Sequence, residues 1–287
     1  MSDTPGPSAE PVCSRHPDRV SYIHCARCGN PICTECMIPA SVGFQCPSCV
    51  AGARVAEVHT PAGGRAVTQP YVTYALIAIN IAVFLWQLSV GIDQSATSWG
   101  MWPVGIATQG EYWSLMTSAF LHGSFLHIAF NMYVLFVMGP TLERILGASR
   151  FAVLYLLAAL GGAVVSYMFS DFSAVSVGAS GAIFGVMGAF VVAGRRLRYD
   201  ITQVLVLLAI NLVFGFAQSG VDWRAHLGGM ATGALVSAIF VFAPKRHQLA
   251  WQCVGCLGVL VVLVALTLTR TAQLQDLLSP LIPGIQT

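Results

Sequence analysis

The chain has 287 residues, of which only 26 are charged (14 Lys and Arg, 12 Asp and Glu), and 56% are hydrophobic. A water-soluble globule of this length cannot cover its surface with so few charges, so the apolar excess must face something other than water. This composition excludes an ordinary soluble enzyme, a disordered chain and a nucleic-acid-binding protein. The net charge of +2 adds little to that conclusion.

The N-terminal region is rich in cysteine, since seven of the nine cysteines lie within residues 13–49. With one histidine they form four pairs, each with two residues between its members. That gap lets both side chains of a tight turn bind one ion, and four such ligands complete a tetrahedral zinc site. The pairs are Cys13/His16, Cys25/Cys28, Cys33/Cys36 and Cys46/Cys49.

The order of the pairs predicts how they share two ions. Only four residues separate the second pair from the third, which disfavours two consecutive zinc folds. We therefore predict a cross-brace in which the first and third pairs bind one structural zinc ion and the second and fourth pairs bind another. Because each site would have four ligands and no open position, neither is expected to be catalytic. His24 is an alternative ligand.

The same cysteines would form disulfide bonds in an oxidising compartment, which is the alternative interpretation. The topology derived below places them in the cytoplasm, where thiols stay reduced. Residues 1–50 are thus expected to form a cytoplasmic zinc-binding module. Its spacing resembles B-box or RING-like modules, which implies a cytoplasmic protein partner. Residues 51–70 are rich in Ala, Gly and Pro without an apolar period, and they predict a flexible linker.

Seven stretches of 20 or more residues without Asp, Glu, Lys or Arg follow residue 65. A transmembrane helix needs about 20 apolar residues, so the pattern predicts an all-α polytopic membrane protein. The predicted helices are 71–90, 119–139, 150–169, 178–194, 201–217, 224–243 and 249–269.

The basic residues predict the orientation. Of the 14 Lys and Arg, 12 fall on the side of the N-terminus, and only Arg224 and Arg270 fall on the other. Cytoplasmic loops carry the excess of Lys and Arg. We therefore expect a multi-pass protein of the inner or plasma membrane, with its N-terminus in the cytoplasm and its C-terminus outside. No cleavable signal peptide is expected, because residues 1–60 lack an apolar segment.

Strongly polar side chains recur in three of the predicted helices, where they are costly and mark functional sites. The second, fourth and sixth helices all run from outside to inside, and each carries its polar residues in its outer half. Their similar depth is what a shared active site would require. These residues are His122, His127 and Asn131 in the second helix, Ser180 in the fourth and His226 in the sixth.

Glycines supply the lateral closeness that such a site needs. They recur in GASGAIFG (178–185) and AHLGGMATG (225–233), and small residues let helix backbones approach closely. Ser180 could then reach His226 and act as a nucleophile activated by a general base. For the glycines alone, plain helix packing is the alternative explanation.

The motifs HxxxxHxxxN, GxSGxxxG and AHLGGxxxG, in this order, resemble the rhomboid family of intramembrane serine proteases over about residues 68–245. The resemblance implies a six-helix core at 71–245 and, at 246–287, an additional seventh transmembrane helix and tail. It also implies that Ser180 is the nucleophile and His226 the general base. His127 and Asn131, with the backbone N–H of Ser180, would stabilise the oxyanion, and no cofactor is needed for catalysis.

Several further residues are expected to support this site. No Asp or Glu falls at the right depth to orient His226, which predicts a Ser–His dyad, and Asp222 is expected to be solvated. Phe184 lies one helical turn after Ser180, so its ring is expected to stack on the imidazole. His122 would supply supporting hydrogen bonds, and Gly178 and Gly181 would admit close backbone contact. Glu143 is expected to be a structural cap or ion pair at the cytoplasmic boundary.

The sequence thus predicts an intramembrane serine endopeptidase that cleaves single-pass transmembrane proteins near the outer face of the lipid bilayer. The alternative is a catalytically inactive rhomboid-like protein that binds membrane clients, which would need none of the four polar residues retained here. A membrane metalloprotease or metal transporter is disfavoured, because no HExxH motif occurs and the paired cysteines lie outside the helices.

Overall fold

The computed structural model describes residues 10–55, 59–217 and 220–280. The chain divides into two compact units, Met1–Val58 and His59–Thr287. Parts of three predicted segments lie outside the described residues. They are residues 1–9 of the zinc module, residues 56–58 of the linker and residues 281–287 of the C-terminal tail.

The first unit consists of two short antiparallel hairpins and one helix. Strand β1 (Val12–Cys13) pairs with β2 (His16–Val20), β3 (Ile38–Pro39) pairs with β4 (Phe44–Gln45), and α1 spans Pro47–Val55. The buried cluster contains Ile32 and five cysteines, with little other apolar material. So small a core cannot stabilise a domain without help from metal ions or cross-links.

The second unit is helical, and apolar helices occupy all seven predicted places. Six of them have the length and composition of membrane spans, and α9, with 16 residues, is shorter. In chain order the helices are α2 (Tyr71–Val90), α3 (Ile92–Trp99), α4 (Pro103–Gln109), α5 (Ser114–Thr117), α6 (Phe125–Leu146), α7 (Ala148–Phe169), α8 (Ser180–Leu197), α9 (Thr202–Ala217), α10 (Trp223–Phe242) and α11 (Gln248–Leu278).

The second predicted span, 119–139, was wrong at both ends. Helix α6 begins at Phe125, because the Ser124 side chain accepts the N–H of His127 at 3.1 Å and caps the helix. It then continues through Pro140 to Leu146, although a Gly-Pro pair commonly ends a helix. His122 therefore precedes the helix instead of lying within it.

The last helix is longer than predicted. Helix α11 has 31 residues, against 21 in the predicted span 249–269. At 1.5 Å per residue it is about 46 Å long, more than the hydrocarbon thickness of a bilayer. Its final turns pack beside the loop between α2 and α6, where Gln275 donates to the carbonyl of Ala107 at 2.8 Å. That loop contains the short helices α3, α4 and α5, which the sequence did not predict.

Glycines set the contact between α8 and α10. A Cβ atom built on Gly229 would overlap the backbone of Gly181, and one built on Gly233 would overlap that of Gly185. The two helix backbones therefore touch without intervening side chains. Helix α7 joins the same contact, since a Cβ on Gly162 would lie 2.8 Å from the carbonyl oxygen of Ala225. Three helices therefore meet where α8 and α10 begin.

Part of the predicted flexible linker is anchored to the helical unit. His59 and Arg65 form a bridge that closes a turn, and Ala62 within it is fully buried. Gln252 of α11 donates to the carbonyl of Ala62 at 2.9 Å, and Thr60 donates to the carbonyl of Leu146 at 3.3 Å. The expectation of uniform flexibility over 51–70 does not hold for this turn.

Candidate active site

Ser180 and His226 are in hydrogen-bond contact, 46 positions apart in the chain. Ser180 is the first residue of α8, and His226 lies in the first turn of α10. The distance between Ser180 Oγ and His226 Nε2 is 2.9 Å. Ser180 is partly exposed, whereas His226 is buried. A reachable hydroxyl bonded to a sheltered imidazole is the arrangement of a nucleophile with its general base.

The Phe184 ring stacks on the imidazole of His226. The ring centroids are 4.2 Å apart and the planes differ by 10°. Phe184 lies one helical turn after Ser180, so one helix presents both the nucleophile and the ring that limits rotation of the base. Within the described ranges, Nδ1 of His226 has no hydrogen-bond partner. The imidazole is thus oriented by stacking on Phe184 and by the hydrogen bond between its Nε2 and Ser180, and no carboxylate of the described residues bonds to its Nδ1.

His127 lies against the loop that leads to Ser180. Gly123 N–H donates to His127 Nδ1 at 3.4 Å, which assigns the ring proton to Nε2. A Cβ atom on Gly178 would lie 2.8 Å from Nε2 of that ring, and its φ of +135° suits only glycine. The Nε2–H group therefore faces the backbone two residues before the serine.

Asn131 follows His127 by one helical turn on the same face of α6. Its side chain is buried, and its Nδ2 donor lacks a partner among the residues that the structure describes. Ser180 begins α8, so its backbone N–H is among the first four of the helix, which have no partner within it. One face of α6 thus carries two side-chain donors, and the start of α8 carries one backbone donor.

His122 does not make the supporting side-chain hydrogen bonds that were expected. Its ring is fully buried, and neither ring nitrogen has a partner in the described part of the chain. The ring instead meets His127 edge-on, with centroids 5.2 Å apart. In the structure the ring of His122 thus packs beside His127.

Sequence reasoning missed Gln87, which fixes the backbone of His122. Its Oε1 accepts the N–H of His122 at 2.8 Å, and its Nε2 donates to the carbonyl of His122 at 3.3 Å and to Ser95 Oγ at 2.9 Å. Gln87 is fully buried in α2. An amide in a mostly apolar helix, whose only other side-chain amide is Asn80, was the available signal, since a buried polar group needs partners.

The expectation that Asp222 is solvated was wrong. The residue is only partly exposed, and both carboxylate oxygens accept hydrogen bonds. Oδ1 accepts the N–H of Ala225 at 3.2 Å, and Oδ2 accepts the hydroxyls of Ser176 and Ser166. The carboxylate caps α10, because the first N–H groups of a helix lack internal partners.

In the first unit, the ligand-type side chains gather into two groups of four. Within each group the ligand atoms lie within 4.8 Å of one another. The groups are Cys13, His16, Cys33 and Cys36, and Cys25, Cys28, Cys46 and Cys49. These are the two sets predicted for the cross-brace, and both could hold a metal ion.

The spacing and the chemistry of these groups fit zinc. With zinc–sulfur bonds of about 2.3 Å, the edge of a tetrahedron is about 3.8 Å. Cys28 Sγ and Cys46 Sγ are 3.9 Å apart, and His16 Nδ1 lies 3.3 Å from Cys33 Sγ. Backbone N–H groups of Cys28 and Cys46 lower the pKa of the Cys25 thiol to about 6, which favours the thiolate that binds metal, whereas hydrogen bonds with Cys46 and Cys28 raise the pKa of the Cys49 thiol to about 12.

Comparison with known proteins identifies relatives of the helical unit. A family sequence model described as the rhomboid domain matches residues 109–243. Rhomboid protease GluP of Bacillus subtilis is 38% identical over 178 residues, which cover 59% of this chain and 35% of that protein. Rhomboid protease AarA of Providencia stuartii is 30% identical over 216 residues, which cover 63% of this chain and 76% of that protein. The chain therefore spans about a third of the length of GluP and about three quarters of that of AarA.

Proposed function

The chain belongs to the rhomboid protease family, and we propose that it is an intramembrane serine endopeptidase that works through a Ser180–His226 dyad. The observation that carries this proposal is the 2.9 Å contact between Ser180 Oγ and His226 Nε2. A client-binding protein without activity would have no use for this contact. The family supports the reaction class, and the geometry supports the assignment of roles.

The reaction follows from the two atoms in contact. Ser180 Oγ attacks the carbonyl carbon of the scissile peptide bond while His226 Nε2 accepts the hydroxyl proton. The imidazolium then gives that proton to the leaving amine, the C–N bond breaks, and an acyl-enzyme remains. A water molecule, activated by the neutral imidazole, hydrolyses the ester and restores the serine. Protein side chains alone carry the protons in these steps.

We assign the developing oxyanion to three donors. They are His127 Nε2–H, Asn131 Nδ2–H and the backbone N–H of Ser180. Nδ1 of His127 already accepts a hydrogen bond, so Nε2 carries the donor, and the buried Asn131 amide has a donor to spare. Donors aimed at a developing charge in a low-dielectric site each contribute about 3 kcal/mol to transition-state stabilisation.

The substrates we propose are single-pass transmembrane proteins cleaved near the outer face of the membrane. Helices α6, α8 and α10 all bear the site at their N-terminal ends, which the distribution of Lys and Arg assigns to the outside. Helical backbone engages its own carbonyls, so the scissile segment must unwind before attack. Substrates with Gly, Pro or other helix-weakening residues there are therefore favoured.

For the N-terminal unit we propose two structural zinc ions and a docking role towards a cytoplasmic protein partner. Ligand sets with no open position stabilise a fold and leave no site for a substrate. We retain the division into a zinc module at 1–50, a linker at 51–70, a protease core at 71–245 and a terminal helix and tail at 246–287. In this division the docked turn at 59–65 forms the part of the linker next to the core.

The proposal is tested with purified protein in detergent and a model transmembrane substrate. Wild type should cleave, and Ser180→Ala and His226→Ala should not. Ser89→Ala is the matched control, since Ser89 is exposed and, among the residues that the structure describes, its hydroxyl bonds only to the carbonyl of Trp86 in its own helix. Equal cleavage by wild type and Ser180→Ala would refute the protease assignment. A wild-type protein that binds substrate, resists a fluorophosphonate and does not cleave would establish the inactive client-binding alternative.

A further inference from the structure

Asp222 stands where three segments of the core meet. It immediately precedes α10, and its Oδ1 caps that helix through the N–H of Ala225. Its Oδ2 accepts the hydroxyl of Ser176 at 2.6 Å and also that of Ser166 in α7. Ser166 is fully buried, and its hydroxyl lies 3.0 Å from that of Ser170. One carboxylate therefore joins α7, the loop before α8 and the start of α10.

Each catalytic residue follows one partner of the Ser176–Asp222 hydrogen bond at the same separation in the sequence. Ser176 lies four residues before Ser180, and Asp222 lies four residues before His226. The 2.6 Å hydrogen bond thus connects the chain just upstream of the nucleophile with the chain just upstream of the base. A shift of either segment would be passed within one turn to the 2.9 Å contact between the catalytic side chains.

The glycine contacts between α8 and α10 do not by themselves define this alignment, and the hydrogen bond from Ser237 to the carbonyl of Ala189 lies about three turns beyond His226. Gly181 and Gly229 bring the backbones close, but glycines have no side chains to interlock against sliding. Directional hydrogen bonds at the helix ends supply that restraint, and those to a carboxylate are about twice as strong as neutral ones.

The Ser176 loop is itself held from its other side. Ser176 exchanges backbone hydrogen bonds with Met101, at 2.9 and 3.0 Å, and Gly178 N–H donates to the carbonyl of Ser118 at 2.9 Å. The loop is therefore fixed to the segment between α2 and α6 by its backbone and to α10 by its side chain. Asp222 bonds this loop to the start of α10, the helix that carries His226.

We propose that Asp222 is a positioning residue of the protease, whose carboxylate keeps Ser180 and His226 at hydrogen-bond distance by joining the two segments that carry them. It touches neither the reacting atoms nor the imidazole, and we assign its positioning effect to the bonds with Ser176 and with the start of α10. The inference rests on the proposed dyad.

The test is a double-mutant cycle on kcat and KM with the model transmembrane substrate. Asp222→Ala should lower kcat by about 100-fold, the scale of a displacement of about 1 Å in an active site. KM should change by less than about threefold, since substrate binding is not displaced. Ser176→Ala should lower kcat by about tenfold, which corresponds to one hydrogen bond to a charged group. The double variant should be no slower than Asp222→Ala, because both changes remove the same bond.

Two further variants separate positioning from general stability. Asp222→Asn keeps an acceptor for Ala225 N–H and offers an amide to the serine hydroxyls, so kcat should stay within about tenfold of wild type. Asp200→Ala is the matched control, because Asp200 caps the first turn of α9 through Thr202 N–H at 2.9 Å. It should lose the stability of one exposed helix cap and keep wild-type kcat.

The inference is overturned by wild-type kcat in folded Asp222→Ala or by an Asp200→Ala defect of equal size. It is also overturned if the double variant shows the product of the two single losses. If Asp222→Ala does not fold, Ser176→Ala carries the test, since it leaves the cap on α10 intact, and unchanged kcat there refutes the link. Cleavage by Ser180→Ala would instead refute the dyad itself, so the two failures are distinguishable.

Discussion

Substituting Gly229 with alanine should disrupt the alignment of the dyad through one added methyl group. Gly229 lies three residues after His226 and faces Gly181, the residue that follows Ser180. A Cβ atom there would lie 2.6 Å from the carbonyl carbon of Gly181 and 3.0 Å from its Cα. Both of these atoms are backbone, so neither can move away by changing a rotamer.

The size of the effect follows from these distances. Carbon atoms in contact are ordinarily about 3.5–4.0 Å apart, so α8 and α10 must separate by about 1 Å. The distance between Ser180 Oγ and His226 Nε2 would then increase from 2.9 Å to about 3.9 Å, beyond hydrogen-bond reach. We expect kcat to fall by about 100-fold. Overpacking should also lower the free energy of unfolding by about 1–3 kcal/mol.

The measurement is cleavage of the model substrate by folded, detergent-purified protein, with the rate of fluorophosphonate labelling as a second readout of the serine. Gly258→Ala is the matched control, because a Cβ at Gly258 in α11 would meet no atom within 4 Å. Alanine favours helix over glycine by about 1 kcal/mol, so this control should be at least as stable as wild type. Wild-type kcat in Gly229→Ala, or an equal loss in Gly258→Ala, would refute the reasoning.

Three further predictions concern other parts of the molecule. Phe184→Ala removes a stacking interaction of about 1 kcal/mol, so kcat should fall by about three- to tenfold, while the kcat of Phe184→Tyr should stay near that of wild type. Equal kcat in Phe184→Ala and wild type would contradict the orienting role of the ring. His127→Ala and Asn131→Ala should each lower kcat by about 100-fold or more with little change in KM, as expected for oxyanion donors; a change confined to KM would contradict it. Metal analysis should find two zinc ions per chain and one in Cys33→Ser, whose cleavage of the minimal substrate should remain at the wild-type rate; abolished cleavage would contradict a purely structural and docking role for the zinc module.

The sequence predicted those features that repeat a local pattern. Apolar stretches between charged residues located all seven helices, and the two-residue gaps within Cys pairs, read with the short gap between the middle pairs, predicted the composition of both ligand groups. The Ser180–His226 contact could be predicted because each residue stands in a glycine-rich motif at a similar depth. Each of these inferences needed only spacing along the chain and one physical rule.

The features that were missed depend on contacts between distant segments. Gln87 bonds to a residue 35 positions away, and Asp222 to one 46 positions before it, which no local period reports. The turn at 59–65 has the composition of a linker, yet Ala62 is buried against a helix 190 positions later. Tertiary hydrogen bonds override local signals in each case.

The helix caps formed by Glu143 and Asp222 share a physical cause. Glu143 is fully buried and accepts the N–H groups of Val72 and Thr73 and the hydroxyl of Thr73, at 3.0, 2.8 and 2.7 Å. It thereby caps α2, as Asp222 caps α10. Helix starts within a membrane cannot rely on water for their free N–H groups, and an unsatisfied group there costs several kcal/mol.

Besides Asp200 before α9, a chain with only 12 acidic residues thus places Glu143 and Asp222 as two caps at the starts of α2 and α10. The consequences of the two caps differ, because only one of them lies beside the catalytic residues. Glu143 bonds solely within the first turn of α2, so its loss should lower stability without a specific effect on kcat. Asp222 bonds across to Ser176 as well as within its own helix, so its loss should alter the geometry of the dyad. A carboxylate that caps one helix and also holds the loop before another can therefore set a distance between side chains that it does not touch.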